Sequence, residues 1–362
     1  MKILLVSGAF YPENSPRSFR TTELAKEFTR RGHDVKVLIP KNDYDYSSFL
    51  KNYPMTINFY NKPSGKRVFS GVSIIDRVVF RMLNQFCAYP NIKMRKPLRK
   101  VIKTESDYDL LISIAVPHMI HWEFGKLYAK GIRVAKTWIA DCGDSFMLNK
   151  SINYKQPFYF KHLEKNWGKY CDYISVPLES ERENYYPEFR YKVRVIPQGF
   201  DFSELESVRE EPHNEVPTFA FAGSFIPGLR DPRPILEALC SLNDDFKFIV
   251  YTNQRELLMP YQKRLGAKLE IRERITRDEL LKVLRQCDFL LNIDNGKAKG
   301  RPSKLIDYAL SGRPIISLNS SDVDCQLIED FMKGDYSQQY VIEDVEQFNV
   351  KNVAQQFLDL CK

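Results

Sequence analysis

The stretch KILLVSGAFYPENSPRSFRTTELAKEFTRRGHDVKVLIP, Lys2 to Pro40, decides the fold. Its opening apolar run is too short to span a membrane and ends without a small-residue cleavage site, so it reads as a buried first strand, KILLVS (2–7). After a loop, a helix is expected from about Ser18 to Arg31, and DVKVLIP (34–40) reads as a second apolar strand. Strand, helix and strand in so short a span make a β-α-β unit, which implies parallel pairing.

The same rhythm runs on. DLLISIA (109–115) and VAKTWIAD (134–141) are predicted strands around the helix HMIHWEFGKLYAKG, followed by YISVP (173–177) and VRVIP (193–197). After Gly199 it restarts with the strand TFAFAGSF (218–225), the helix DPRPILEALCSLN and the strand FKFIVYTN (246–253). TRDELLKVLRQC carries a capping box, Thr276 with Glu279, and DFLLNID (288–294) and RPIISL (313–318) complete the series. Two such halves predict an α/β protein with two doubly wound, Rossmann-like domains, residues 1–198 and 199–344, facing each other across a cleft. The last helix, about 345–362, fits either domain and has the option of returning to the first.

Composition narrows the function classes. The chain has 362 residues, 43% apolar and 28% charged, as expected of a soluble globular protein. Its seven cysteines are odd in number and contain no C-x-x-C, which disfavours a disulfide framework or zinc site and favours a reducing cytoplasm. The net charge of +8 is local: Lys66 to Lys103 holds ten basic residues and one acid, Asp76. That distribution argues for one docking surface and against a nucleic-acid coat. The loop after the first strand, SGAFYPENSPR, lacks the G-x-G-x-x-G that a dehydrogenase needs there.

KGRPSKLIDYALSGRPII (299–316) raises a sharper question. A basic loop enters a short helix starting near Ser303, with Leu305, Ile306, Ala309 and Leu310 on one face and Gly312 at the C-cap. Lys304 and Asp307 share the other face. They form either a solvated pair or an anion site at a helix N-terminus, with a carboxylate beside it to read a hydroxyl.

Several of these segments resemble the retaining GT-B glycosyltransferases of family 4. The resemblance rests on the first strand and helix, on VIPQGFD (195–201) beside that family's Pro-Asn-Gly-x-Asp, on the Pro-His pair and Trp-x-x-Asp strand within residues 112–146, and on FAGSF together with the helix of KGRPSKLIDYALSGRPII. It spans nearly the whole chain, least over 41–105 and 145–170. It implies transfer of a sugar from a nucleotide diphosphate sugar, UDP or GDP being the expected nucleotide, with retention at the anomeric carbon. The donor would sit on the C-terminal domain and the acceptor on the N-terminal one. No metal and no separate cofactor are expected. The three Asp-x-Asp pairs, at 43–45, 107–109 and 322–324, read as chance.

The resemblance also assigns residues. The family's E-x7-E places its ribose-binding acid at Asp307, but the first acid falls on Lys299, which leaves the donor sugar open. Many relatives grip diphosphate with Arg after the glycine and Lys six residues on; here Gly223 is followed by Ser224, and Arg230 holds the second place. Arg230, Lys304, Arg301 and the helix start at Ser303 are the expected diphosphate contacts. His118, after Pro117 at a strand end, is expected at the donor sugar or else as a packed helix-start histidine. Gly8, Arg17, Arg20 and Asp144 are the expected acceptor-side residues, against surface charge for the arginines and a helix cap for Asp144.

The basic window 66–103 interleaves charge with Ile74, Val78, Val79, Phe80, Leu83 and Phe86, which suits an anionic membrane surface. The expectation is a cytoplasmic enzyme at the inner face of the membrane, acting on a saccharide or polyprenyl-linked acceptor in bacterial surface-polysaccharide synthesis. The rivals are a non-catalytic nucleotide-sugar-binding scaffold and a GT-B nucleotide-sugar epimerase.

Overall fold

A computed structural model describes residues 1–61, 73–149, 156–202, 212–226, 228, 230–294 and 304–361. The chain forms two compact units, one of Met1–Asp201 with Gln347–Lys362, the other of Phe202–Glu346.

In the first unit the strands are β1 (Lys2–Val6), β2 (Asp34–Pro40), β3 (Thr56–Tyr60), β4 (Tyr108–Ala115), β5 (Ala135–Cys142), β6 (Tyr173–Val176) and β7 (Val193–Val195). They form one parallel sheet in the order β3-β2-β1-β4-β5-β6-β7. Parallel strands covered on both faces need near-continuous apolar sequence, and Ile3, Leu4, Leu5 and Val6 are all fully buried. In register, Leu5 lies between Val37 of β2 and Ile112 of β4. The sheet order reverses between β1 and β4, so the loops after these two strands diverge and leave space at their C-terminal ends.

Helix Pro16–Arg30 starts on an N-cap, Ser15, whose side chain accepts from Ser18 N–H, with Pro16 in the first turn. The last helix, Val350–Asp359, belongs to this unit. Its Val353, Ala354 and Phe357 enter the core cluster of Leu24, Phe28 and Val37.

The second unit has β8 (Thr218–Ala222), β9 (Lys247–Tyr251), β10 (Leu269–Arg272), β11 (Phe289–Ile293) and β12 (Ile315–Leu318) in the parallel order β10-β9-β8-β11-β12. Its centre is a stack of phenylalanines: Phe219 lies 4.6 Å from both Phe248 and Phe289, centroid to centroid. The capping box of Thr276 and Glu279 is formed at the start of helix Arg277–Arg285. Gly312, at φ +73°, follows helix Lys304–Ser311 in the left-handed conformation that suits glycine at a helix end.

Helix Ser73–Cys87 differs from the rest, because Ile74, Ile75, Val78, Val79, Met82 and Phe86 along it are all exposed. No helix among the described residues is long and apolar enough to cross a membrane.

Candidate functional site

In the second unit, two of the residues expected at a diphosphate, Lys304 and Arg230, come together near the end of β8. Tyr308 Oη accepts from the Ala222 N–H at 2.8 Å, which fixes helix Lys304–Ser311 against that strand end. Lys304, one turn earlier, is thereby laid over Phe221, with its Nζ 3.9 Å from the ring centroid. The lysine as a whole is half-buried, but Nζ is buried and has no hydrogen-bond partner among the described residues. Arg230 lies near enough to repel it, and the Arg230 Nε is likewise buried without a partner. Burial, with Arg230 adding to it, holds the Lys304 ammonium well below its ordinary pKa. Two neighbouring cations with no ion pair among the described residues suit an anion. The solvated Lys304–Asp307 pair considered from sequence does not form.

Asp307 instead receives Arg277 Nε at 2.8 Å, and each side chain is 18% exposed. Gly223, at φ +151°, has a backbone unsuited to a side chain, and an added Cβ would stand 3.8 Å from Lys304 Cδ. Ser224 carries no charge, but its Oγ accepts from Arg274 Nη2, so a guanidinium from the loop after β10 reaches this position. Gln254 clamps the same loop through Phe225, accepting from its N–H at 2.7 Å and donating to its carbonyl at 3.1 Å. Arg274 was not legible as a site residue, because β10, which it follows, carries too few apolar residues to be recognised as a strand; Gln254 and Arg277 flank an expected strand and open an expected helix, with no motif to single them out. Arg301, Ser303 and Lys299 lie outside the described residues.

In the first unit, Gly8 and His118 follow β1 and β4 at the sheet's reversal. A Cβ on Gly8 would meet Pro117 Cδ at 2.3 Å, so only glycine lets these two loops close together. His118 is buried, its Nδ1 has no partner, and burial with nearby Arg17 pushes it down to about 4, leaving a neutral imidazole at neutral pH.

Arg20 takes no part in an open acceptor site. It is 3% exposed and its guanidinium is fully engaged: Nε and Nη2 donate to Asp141 at 3.2 and 2.8 Å, and Nη1 and Nη2 also donate to the carbonyls of Pro197 and Ile196. Asp141 also accepts from Ser175 Oγ at 2.7 Å. Arg17 approaches Asp141 at 3.5 Å but stays 21% exposed, its guanidinium lying against Gly143, where a Cβ would meet it at 2.6 Å. Asp144 is exposed.

Two cavities open at these strand ends. One, of about 430 Å³, is bounded by Gly8, Glu13, Asn42 and Tyr44, and the other, of about 340 Å³, by His118, Trp122, Asp144 and Phe146. Asn91 and Pro117 line both.

His118, His121 and Cys142 bring three potential metal-ligand atoms within 4.8 Å of one another. His121, however, already contacts Ser113 Oγ at 2.8 Å and Cys142 Sγ at 3.4 Å, and burial pushes the Cys142 thiol well above its usual value, which works against a thiolate ligand.

The basic window divides. Arg95 and Arg99 turn inward onto the fully buried Glu123, whereas Lys93, Lys96, Lys100 and Lys103 are exposed at the spacing of one helical face. Lys66 and Arg67 lie outside the described residues.

No family model matches this sequence, and no curated protein is similar to it. Solved structures are. A mutant of S. aureus TarM in complex with fondaparinux, α-GlcNAc-glycerol and UDP superposes at a TM-score of 0.64 with 10% identity over 100% of both chains. The lipopolysaccharide outer core galactosyltransferase WaaB, in its apo form, gives 0.59 with 12% identity over 99% of each. The UDP-GlcNAc 2-epimerase from Neisseria meningitidis, bound to UDP-GlcNAc, gives 0.54 with 13% identity over 99% of each. At these identities the likeness establishes the GT-B fold, two Rossmann-like domains, and not the reaction.

Proposed function

We propose that this chain is a retaining glycosyltransferase that moves a sugar from a nucleotide diphosphate sugar to a lipid-linked saccharide acceptor in bacterial surface-polysaccharide assembly. The observation that carries the proposal is the pair Lys304 and Arg230, neighbouring cations whose Nζ and Nε are buried without a hydrogen-bond partner among the described residues, near the C-terminal end of β8. Breaking a glycosyl–diphosphate bond builds negative charge on the leaving oxygens, and preorganised cations stabilise that charge. Arg274 stands in for the charge missing at Ser224, and Asp307, steadied by Arg277, offers a carboxylate to the ribose. The UDP named with TarM makes UDP the first nucleotide to test. An epimerase shares the fold, but it must move a proton at a sugar carbon and so needs a free base. Asp307, on the helix that carries Lys304, is held by Arg277 and does not offer that base.

Calorimetric titration of the full chain with UDP, GDP, CDP and ADP tests the site. One nucleoside diphosphate should bind, and its hexose conjugate should be hydrolysed slowly without acceptor, giving the free sugar and no epimer. Binding of none overturns the transferase reading; binding without hydrolysis leaves the scaffold.

The lipid-linked acceptor and a place at the inner face of the membrane draw support from helix Ser73–Cys87, with its exposed apolar side chains, and from the lysine row 93, 96, 100 and 103. Each lysine near an anionic surface contributes on the order of 1 kcal/mol. Changing all four to glutamine should therefore weaken sedimentation with phosphatidylglycerol vesicles by tenfold or more, on the order of 1.4 kcal/mol at least, with a larger loss at low salt. Unchanged binding would return these lysines to ordinary solvated charge.

A further inference from the structure

We infer that the cavity of about 340 Å³ in the first unit is a saccharide subsite that reads a pyranose ring through its hydroxyl groups rather than through an anionic group. The inference takes its meaning as the acceptor subsite from the transferase reading, but it stands on separate observations.

The first is chemical. Asn84, Asn91, Asn149 and Gln156 line the cavity together with Asp144. Carboxamides offer a donor and an acceptor on one planar group, and a carboxylate offers acceptors only, so the set matches adjacent ring hydroxyls, each both donor and acceptor. Among the described residues no lysine or arginine lines it. The arginines beside its lining serve elsewhere: Arg17 is drawn to Asp141, and Arg95, which lies over Trp122, donates through Nε to Glu123. A phosphate or uronate would meet the exposed carboxylate of Asp144, while the neighbouring cation, Arg17, is already turned to Asp141.

The second is the set of unused polar atoms. His118 Nδ1, Trp122 Nε1 and Ser145 Oγ belong to residues lining this cavity, each residue is more than nine-tenths buried, and none of the three atoms has a partner among the described residues. Buried polar groups are ordinarily satisfied, so three orphans around one cavity mark a place where a hydroxyl-bearing guest or bound water completes the network. His118, held neutral, can donate or accept there. Trp122 and Phe146, 5.3 Å apart and edge to face, supply an apolar wall for the C–H face of a ring. The volume falls at the small end of the ~300–1,000 Å³ range of ligand sites, which suits one ring better than a chain.

The third is position. Asn84 lies on helix Ser73–Cys87, away from its exposed apolar row, so one helix walls the polar cavity and carries the lipid-compatible face. A sugar on a lipid carrier would enter beside its own anchor.

Saturation-transfer NMR on the full chain without nucleotide tests this, using the methyl glycosides of glucose, galactose and mannose, methyl glucuronide and glucose 6-phosphate. At least one neutral glycoside should receive saturation on its ring protons and bind about tenfold more tightly than the uronate, a 1.4 kcal/mol difference. Asp144→Asn should narrow that gap. Asn84→Trp, at an exposed helical position, should obstruct the cavity and abolish the transfer, and Asn149→Trp provides a second obstruction should the first variant not fold. No transfer to any neutral glycoside would overturn the inference. So would binding of the uronate or phosphate as tight as that of the neutral sugar, or neutral binding that survives both obstructions. The nucleotide titration reports on the other unit: nucleotide binding without sugar binding defeats only the subsite, and sugar binding without nucleotide binding keeps the subsite and removes the transferase.

Discussion

Lys304→Met is expected to raise the stability of the nucleotide-free protein while weakening its binding of a nucleoside diphosphate by thirtyfold or more, about 2–5 kcal/mol. The two effects share one cause. Among the described residues the Lys304 Nζ is buried, lacks a hydrogen-bond partner and lies beside Arg230, with the faces of Phe221 and Tyr308 to soften its desolvation. Methionine keeps the unbranched stem over Phe221 and removes the charge. Replacing buried charge with an apolar group of similar volume is commonly neutral or stabilising by about 1–4 kcal/mol. The same charge is what a diphosphate would neutralise.

The pH dependence carries a sign that separates this account from simple packing. Folding depresses the Lys304 pKa, so between its folded and unfolded values the unfolded chain binds more protons, and stability rises as pH rises through that window. Diphosphate binding favours the charged lysine, takes up a proton and weakens as pH rises. Calorimetry in buffers of different ionisation enthalpy should show proton uptake in the wild type and a smaller uptake in the variant. Equal affinity and equal uptake in both would remove Lys304 from the site.

Asp141→Asn should cost about 3–5 kcal/mol of stability, the range for breaking a buried ion pair from one side. Arg20 is 3% exposed and would keep its charge with no carboxylate against it. The loss spreads beyond one contact, because Arg20 also holds the carbonyls of Ile196 and Pro197, where β7 runs out. Burial alone would raise the Asp141 pKa, but Arg20 and Arg17 outweigh it and hold the carboxyl below its usual range. Its contribution is therefore present above the unfolded carboxylate range and is lost as pH falls through the folded value. Urea unfolding followed from neutral to acid pH should show a midpoint lowered at neutral pH and a flatter acid limb in the variant. A midpoint unchanged at neutral pH would mean that the helix Pro16–Arg30 is held by its apolar face alone.

The sequence made local features plain and left distant ones obscure. DVKVLIP is a strand over the predicted residues 34–40, because a parallel strand buried on both faces leaves a continuous apolar run. The Thr276–Glu279 box formed because both partners lie within one turn. TINFY (56–60) and LEIR (269–272) went unrecognised, and both are edge strands, half-covered and short. Missing the second of these hid Arg274 at its end. The ion pair of Arg20 with Asp141 joins residues 121 positions apart, for which no local pattern exists. Two arginines of the basic window, Arg95 and Arg99, had an internal acid as partner, and only the fold could reveal it.

The placement of helix Val350–Asp359 bears on how the chain is made. The ribosome delivers the whole of the second unit before it delivers Val353 and Phe357, which the first unit's core encloses. Domains usually close in the order of their synthesis. Here the unit begun first waits, with the face around Leu24 and Phe28 uncovered, while the unit begun second already has every strand it needs. That interval, more than a hundred residues of elongation at roughly 5–20 residues per second, is when a nascent-chain chaperone would have an apolar face to hold.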